Sequence, residues 1–456
     1  MAMKKIVVLT IGGSDSSGGA GIQADLRAFS FLDLHGASVI TAVTAQNTKK
    51  VDKIKRMPLD LIENQIDLIF EDMNPKAVKI GMLYDKDVIK LILKKISDYD
   101  AKVIIDPVMI STSGYNLFLK TKDFVNALKK YLLPLAFAVT PNIIEASMLT
   151  NRKIESEKEV RDVAREIYDT GVKNVIIKGG HFKNKYATDF TYDGKKIYSF
   201  SLPKIDNRDT HGSGCAFSAL LTGLVAKKAS ILKATKIAKT IVWGMIEKGY
   251  TAGEGAKIAE LNKEKIYNNT PPVSSINNLT RFSTWNELRK NVDKLIKILR
   301  SDLIPEVGIN FGYALPNAKS IDDVCALTKR IRRSRNNIVF DGKINFCSSR
   351  HIASIILAAM KKDRRKRSAM NIKYQKKLLD ICRKLSLSIS SFDRKEEPDY
   401  VKSTMEWGTS RAIEKKGFVP DIIYDEGGIG KEPMIRIMGD NPTDVMDKLN
   451  KIVYAL

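Results

Sequence analysis

The stretch DTHGSGC (209–215) carries the densest chemistry in the chain. Gly212 and Gly214 permit a tight turn, and the apolar run after them starts a helix at about Gly214. A glycine turn feeding a helix N-terminus aims backbone N–H groups at one point, which suits a phosphate or a charge developing on one. Cys215 stands at that helix start, where the dipole favours a thiolate. Taken alone, the pattern fits a small buried cysteine in a helix-packing turn equally well. A second anion-receptive start is expected in NFCSSRHIASIILAAM (345–360). There Ser348 or Ser349 can cap a helix whose first turn holds Arg350 and His351. GGIGK (427–431) has the glycines and lysine of a phosphate loop without its GxxxxGK[ST] spacing.

The elements that must position these residues are legible as alternation. KKIVVLTI, a glycine-rich loop and a helical stretch from Ala20 to Asp33 form one β-loop-α unit. SVITAVTA, AVKI, KVIID, FAVT and NVIIKGG read as further short buried strands, with helical patterns between most of them. Such alternation predicts a mainly parallel sheet covered by helices. ATDFTYDGKKIYSF interrupts it as a hairpin turning at Asp193-Gly194. Two helices are expected near 214–227 and 231–249. YNNTPPVSSINNLT (267–280) reads as a linker, because Pro271-Pro272 cannot continue a helix. Beyond it a helix is expected with Thr284 as N-cap and Glu287 three residues on. Helices around 351–361, 374–384 and 442–453, with strands LSISSF, DIIY and MIRIM, make a second α/β domain.

Composition narrows the class. The chain has 456 residues and a net charge of +24; residues 277–456 hold 35 Lys and Arg against 22 Asp and Glu. A basic surface suits nucleic acid, phosphorylated small molecules or simply a lysine-rich proteome, and with 7% aromatics and no nucleic-acid module nucleic acid is the weaker choice. No apolar run approaches the ~20 residues of a membrane span. The apolar stretch in Met1 to Thr10 is too short for a signal peptide, so the expected location is the cytoplasm. Cys215, Cys325, Cys347 and Cys382 lie far apart, which argues against a zinc site or a disulfide framework.

IGGSDSSGGAGIQADLRAFS (11–30), TAVTAQNT (41–48), DPVM (106–109), TPNIIEA (140–146), KGGH (178–181) and DTHGSGC (209–215) occur in order. In these motifs residues 4–260 resemble the hydroxymethylpyrimidine/phosphomethylpyrimidine kinases, a branch of the ribokinase-like superfamily. Asp209 departs from the asparagine common in that branch. The resemblance implies that Gly13, Asp25 and Gln46 hold an aminopyrimidine. It implies Asp106 and Glu145 as ligands of Mg2+, and Asn142, Lys178, Gly212 and Gly214 around the phosphates of ATP. Cys215 is the implied catalytic residue, and His181 follows Gly179-Gly180 as a possible loop cap. Read without the family, Asp25 is as well a solvated helix residue and Lys178 an exposed lysine.

RHIA, RSAMNI, FDR-EEP, TMEWGT and GKEPMIR resemble the archaeal-type thiamine-phosphate synthase domain over residues 281–456. That family's catalytic pair maps onto Arg330 and His351. Cys347 stands where the family has glycine. Asn371, Asp393, Lys431 and Glu432 are polar candidates for the ligand pocket, while Met405 and Trp407 are expected in the core. The basic run KKDRRKR (361–367) is expected to be a solvated or phosphate-attracting face.

The fold expected is therefore α/β: a ribokinase-like domain (1–265), a linker (266–280) and a smaller α/β domain (281–456). The implied function is bifunctional. ATP would phosphorylate 4-amino-5-hydroxymethyl-2-methylpyrimidine twice, and the diphosphate would condense with thiazole phosphate to thiamine phosphate and pyrophosphate. The expected partners are these small molecules, not nucleic acid or a membrane; the oligomeric state, a homo-oligomer included, stays open. One alternative makes the second domain a non-catalytic sensor of thiamine phosphate. Another makes the first a kinase of pyridoxal.

Overall fold

The computed structural model describes residues 4–456 apart from 111–114, 116, 119–120, 181, 183, 206–209, 336, 399 and 402. The chain divides into two units, 1–277 and 278–456. Among the described residues, no helix is long and apolar enough to cross a membrane.

The first unit opens with β1 (Val7–Asp15), α1 (Gly21–Phe31), β2 (His35–Gln46), β3 (Val51–Arg56), α2 (Leu59–Met73), β4 (Ala77–Ile80) and α3 (Lys86–Ile96). It continues with β5 (Lys102–Ile105), α4 (Thr121–Ala127), β6 (Ala138–Val139), α5 (Ile143–Thr150), α6 (Glu157–Tyr168) and β7 (Val175–Ile177). β8 (Tyr186–Tyr192), β9 (Ile197–Pro203), β10 (Thr210–His211), α7 (Ser213–Ala226), α8 (Ile231–Glu247), β11 (Lys257–Ile258) and α9 (Lys263–Tyr267) complete it. The main sheet runs β3-β2-β1-β4-β5-β6-β7-β8-β9. β2 to β7 are joined through parallel pairs; β3, β8 and β9 are antiparallel additions. One face is covered by α2, α3, α5 and α6, the other by α1, α7 and α8, each over its own apolar cluster. Strand order reverses at β1, whose neighbours are β2 and β4. In such sheets ligands bind beyond the carboxyl ends of the strands, near that reversal.

The stretch read as a linker packs on the first unit. Ile266 is fully buried, and the side chain of Asn277 bonds the backbone of Ser199 and Ser201 on β9, at 2.7 Å each. The second unit then starts at once. α10 (Leu279–Ile298) is capped by Asn278, not Thr284, which is buried inside the helix. Asn278 accepts the Arg281 N–H, and Phe282, Trp285, Leu288, Val292 and Leu295 form one buried stripe.

The second unit holds β12 (Phe311–Ala314), β13 (Val324–Leu327), β14 (Arg332–Ser334), β15 (Asn337–Val339), β16 (Ile344–Phe346) and α11 (Arg350–Lys362). After these come β17 (Ser368–Lys373), α12 (Lys376–Lys384), β18 (Ile389–Ser391), α13 (Thr404–Lys416), β19 (Ile422–Asp425), β20 (Met434–Gly439) and α14 (Pro442–Tyr454). Its sheet, β16-β13-β12-β17-β20-β19-β18, is antiparallel except for β18 with β19. α11 and α13 share one apolar cluster on it, which includes Met405 and packs Trp407 as expected. In the basic run 361–367, three of the six cations are ion-paired, Lys361 on Glu406, Arg365 on Asp363 and Lys366 on Asp440.

Candidate active sites

The first unit encloses a cavity of about 690 Å3 beyond the carboxyl ends of its parallel strands. Gly13 and Gln46 line it, together with Asp106 after β5, Asn142 after β6, Lys178 after β7, Glu145, and Gly212, Gly214 and Cys215 at the start of α7. Gly212 has φ +84°, and a Cβ there would lie 1.9 Å from the Gly19 carbonyl oxygen, so only glycine fits. α7 has no side-chain cap, which leaves its first amides directed at the cavity. Lys178 Nζ lies 2.8 Å from Asp106 Oδ1, and a Cβ on Gly214 would stand 3.5 Å from the same ammonium. Asp106 also accepts from Thr140 and Ser218, at 3.2 and 3.1 Å. Burial opposes the Lys178 charge, but Asp106 and Glu145 outweigh it and raise its pKa.

Asn142 and Glu145 cap α5 reciprocally: Glu145 N donates to Asn142 Oδ1 at 2.8 Å, and Asn142 N to Glu145 Oε2 at 2.7 Å. Burial pushes the Glu145 carboxyl up to about 7, with Lys178 pulling the other way. Among the described residues no cluster of three His, Cys, Asp or Glu forms a metal cage. Magnesium needs none. It takes one or two carboxylates and completes its shell with phosphates and water, and the hard oxygens of Asp106 and Glu145 around Lys178 fit that requirement.

One expectation is corrected. Cys215 is not a thiolate: burial pushes its thiol up to about 11, despite the nearby Lys79 ammonium and the Gly21 N–H. Asp25 also lines the cavity and is 1% exposed: its Oδ2 is bonded to Lys79 Nζ at 2.9 Å and to the Thr10 hydroxyl at 2.7 Å, while its Oδ1 has no hydrogen-bond partner among the described residues. A carboxylate this deep needs a cation, and Lys79 on β4 supplies it. Burial opposes the Lys79 charge too, but Asp25 outweighs it and the ammonium persists. The lone lysine in the apolar strand AVKI was the available signal for this pair. His181 and Asp209 lie outside the described residues.

In the second unit Ser349 is the helix cap of α11, accepting the Ile352 N–H. This places Arg350 and His351 in its first turn. Partial burial of the ring, with the charges of Arg330, Arg394 and Arg436, holds the His351 imidazole below its ordinary pKa. Arg330 and His351, 21 residues apart in sequence, are thus electrostatic neighbours. Arg330 Nη1 donates to the Val307 carbonyl at 3.0 Å, and the Glu432 carboxylate accepts the N–H groups of Glu306 and Val307 at 2.9 and 3.1 Å. Asn371 bonds the same segment, giving to Gly308 O at 3.1 Å and taking from Asn310 N at 2.8 Å. Asn371 and Glu432 therefore shape the backbone that holds Arg330.

Other expected pocket residues fall at the surface. Asp393 is exposed and caps a single turn through the Lys395 N–H. Lys431 is exposed, 3.6 Å from Glu397. GGIGK is the turn joining β19 to β20, with Gly427 and Gly430 at positive φ and no helix after it, so it lacks the geometry of a phosphate loop. Cys347 has φ +58°, the conformation that suits the glycine it replaces. Missed by sequence reasoning was Asp425, fully buried at the end of β19. It binds Arg394 through Nε at 2.5 Å and Nη2 at 3.2 Å, and Arg436 Nη2 at 2.7 Å. Two arginines on one carboxylate leave an excess positive charge beside His351. An arginine inside the apolar strand MIRIM was its signal.

Residues 15–260 match the family model for phosphomethylpyrimidine kinase, and residues 287–451 that for thiamine-phosphate synthase ThiN. The chain is 36% identical over 452 residues to the bifunctional thiamine biosynthesis protein ThiDN of Methanocaldococcus jannaschii, covering 98% of each. It is 42% identical over 249 residues to the hydroxymethylpyrimidine/phosphomethylpyrimidine kinase of Bacillus subtilis, covering 54% of this chain and 91% of that one. Pyridoxal kinase from Staphylococcus aureus, solved with ADP, superposes with a TM-score of 0.54 at 32% identity, covering 58% of this chain and 96% of that one. With two family models in tandem and a relative alike from end to end, the chain belongs to the bifunctional thiamine biosynthesis enzymes, a phosphomethylpyrimidine kinase followed by a thiamine-phosphate synthase.

Proposed function

We propose that the first unit transfers phosphoryl from ATP to the hydroxymethyl group of 4-amino-5-hydroxymethyl-2-methylpyrimidine, then to the monophosphate so formed. The observation that carries this reading is the convergence of Lys178, Asp106 and the uncapped start of α7 on one end of a single cavity, with Gln46 and Gly13 also on its wall. Lys178 and the α7 amides receive charge as it develops on the transferred group. Magnesium, held by Asp106 and Glu145, would neutralise the phosphate oxygens. A loose phosphoryl transfer asks little of a base, so Cys215 works as a protonated S–H donor at the α7 start. The second unit would expel pyrophosphate from the pyrimidine diphosphate, with Arg330 and the Arg394–Asp425–Arg436 charge receiving it. The thiazole nitrogen captures the pyrimidine cation, giving thiamine phosphate. Neutral His351 orients substrate or accepts a proton. The cytoplasm is the compartment this reading implies.

The test supplies purified protein with the pyrimidine, thiazole phosphate and Mg-ATP, and follows ADP and thiamine phosphate separately. Cys215→Ala should lower ADP formation by ~100-fold or more and leave the fold intact. His351→Ala should lower thiamine phosphate formation on that scale while ADP formation stays at wild-type rate. Normal thiamine phosphate output from His351→Ala and Arg330→Ala would make the pair structural, and no thiamine phosphate from the wild type would favour the sensing domain. Pyridoxal as the better substrate would overturn the pyrimidine assignment.

A further inference from the structure

Gln46 ends β2 at the cavity, and its side-chain amide sits between two groups. One is His211 Nε2, 3.2 Å from the nitrogen of the amide; the other is Thr44 Oγ1, 3.4 Å from its oxygen. Both contacts conflict with the rest of the network. Asp15 Oδ2 lies 3.0 Å from the same His211 Nε2. Burial works against the Asp15 charge, but hydrogen bonds from His211, Ser17 and Ala20 pull its pKa to about 2. An ionised carboxylate only accepts, so His211 Nε2 carries a proton and points it at Asp15. That N–H cannot also accept from the Gln46 NH2. At the other end the single Thr44 proton goes to the Ser14 carbonyl, at 3.0 Å, and is not available to the amide oxygen.

Turning the amide by 180° removes both conflicts. The oxygen then shares the His211 Nε2–H with Asp15 in a three-centre hydrogen bond, and the NH2 donates to Thr44 Oγ1. Oxygen and nitrogen of an amide are assigned by such networks, and here the network admits one order. The imidazole is clamped as well: a Cβ on Gly19 would stand 2.3 Å from His211 Cδ2.

We propose that Asp15 and His211 are a positioning pair that fixes the Gln46 amide with its oxygen toward His211 and its NH2 toward Thr44. They thereby set the order of donor and acceptor offered to the pyrimidine. This rests on the reading of Gln46 as a residue that faces the ring. A 4-aminopyrimidine presents an acceptor ring nitrogen beside a donor amine; the 4-oxo analogue presents a donor N–H beside an acceptor oxygen. One fixed amide order matches the first and rejects the second, and an amide free to turn accepts both.

The measurement is the ratio of kcat/KM for the 4-amino substrate to that for its 4-oxo analogue, with Mg-ATP and the full chain. Wild-type enzyme should prefer the amine. His211→Phe, which keeps a ring and removes the donor, should reduce the ratio by about tenfold to a hundredfold, mainly by a lower KM for the analogue. Thr44→Val frees the other end of the amide and should move the ratio the same way; it decides alone where His211→Phe does not fold. A merely structural His211 would slow both substrates alike, and an unchanged ratio in the folded variants overturns the pairing. Gln46→Leu separates the two layers. If it abolishes the preference while His211→Phe and Thr44→Val keep it, only the positioning pair is wrong. If it leaves the preference intact, or if the wild type has none, the reading of Gln46 falls and the proposal with it.

Discussion

At the scale of the residue, opposite pKa shifts bring the two sites to the same end. Cys215 is driven toward its neutral form by burial, and His351 toward its neutral form mainly by partial burial and three arginines. For His351 the sign has a consequence. Its folded pKa lies below the ordinary value of about 6.5, so the unfolded chain binds more protons in the window beneath 6.5. The ring's contribution to stability is full above that window and is lost as pH falls through it. Removing a neighbouring charge should close the gap. In Arg330→Met, the His351 imidazole titration followed by NMR should move up toward 6.5. An unmoved midpoint would mean that Arg330 does not act on the ring.

At the scale of the element, a buried ion pair ties α1 to the central strand β4. Lys79 is 1% exposed and Asp25 likewise, and both stand at the wall of the cavity. Breaking such a pair on one side leaves an uncompensated charge and costs about 3–5 kcal/mol, whereas replacing both partners costs far less. Lys79→Met should therefore lower the urea midpoint of the first unit strongly at pH 7. Lys79→Met with Asp25→Leu should recover most of the loss, less the stranded Thr10 hydroxyl, worth roughly 1 kcal/mol. Equal losses in the single and double variants would show the pair to be energetically inert. Burial raises the Asp25 pKa, so the single-variant loss should shrink as pH falls and the carboxyl protonates.

At the scale of the whole molecule, the boundary between the units falls in sequence between Asn277 and Asn278, inside the stretch 266–280 read as a linker. A fragment ending at 265 omits Ile266, which is fully buried, and the two hydrogen bonds from Asn277 to β9. Burial of such a side chain is worth about 1.5–3 kcal/mol, and each bond about 0.5–1.5 kcal/mol. Fragment 1–277 should therefore melt several degrees above fragment 1–265, and both 1–277 and 278–456 should retain their own activities. A synthase fragment begun at 287 would lose Phe282 and fully buried Trp285 from α10, and should be the less soluble. Equal melting of the two kinase fragments would return 266–277 to the role of a linker.

Local pattern sufficed for much of this. The short continuous apolar runs marked the parallel strands because strands buried on both faces must be apolar nearly throughout, and the Asp193-Gly194 turn marked the β8–β9 hairpin because few residues take that turn. Gly212 was legible because a helix start pressed against the Gly19 carbonyl admits no side chain. What sequence spacing left open was partnership across the chain. Asp25 reads as an exposed helix residue until β4 brings Lys79 beneath it; Asp425, Arg394 and Arg436 are unrelated charges until β19 and β20 pair. The thiolate expected of Cys215 followed from its helix position, a local fact. Its protonation followed from desolvation by α1, β4 and β5, which no local pattern contains. Helix starts, turns and apolar periodicity are set within a few residues and so belong to the sequence. Charge states and hydrogen-bond order depend on groups tens to hundreds of residues away, and only the folded sheet brings those together.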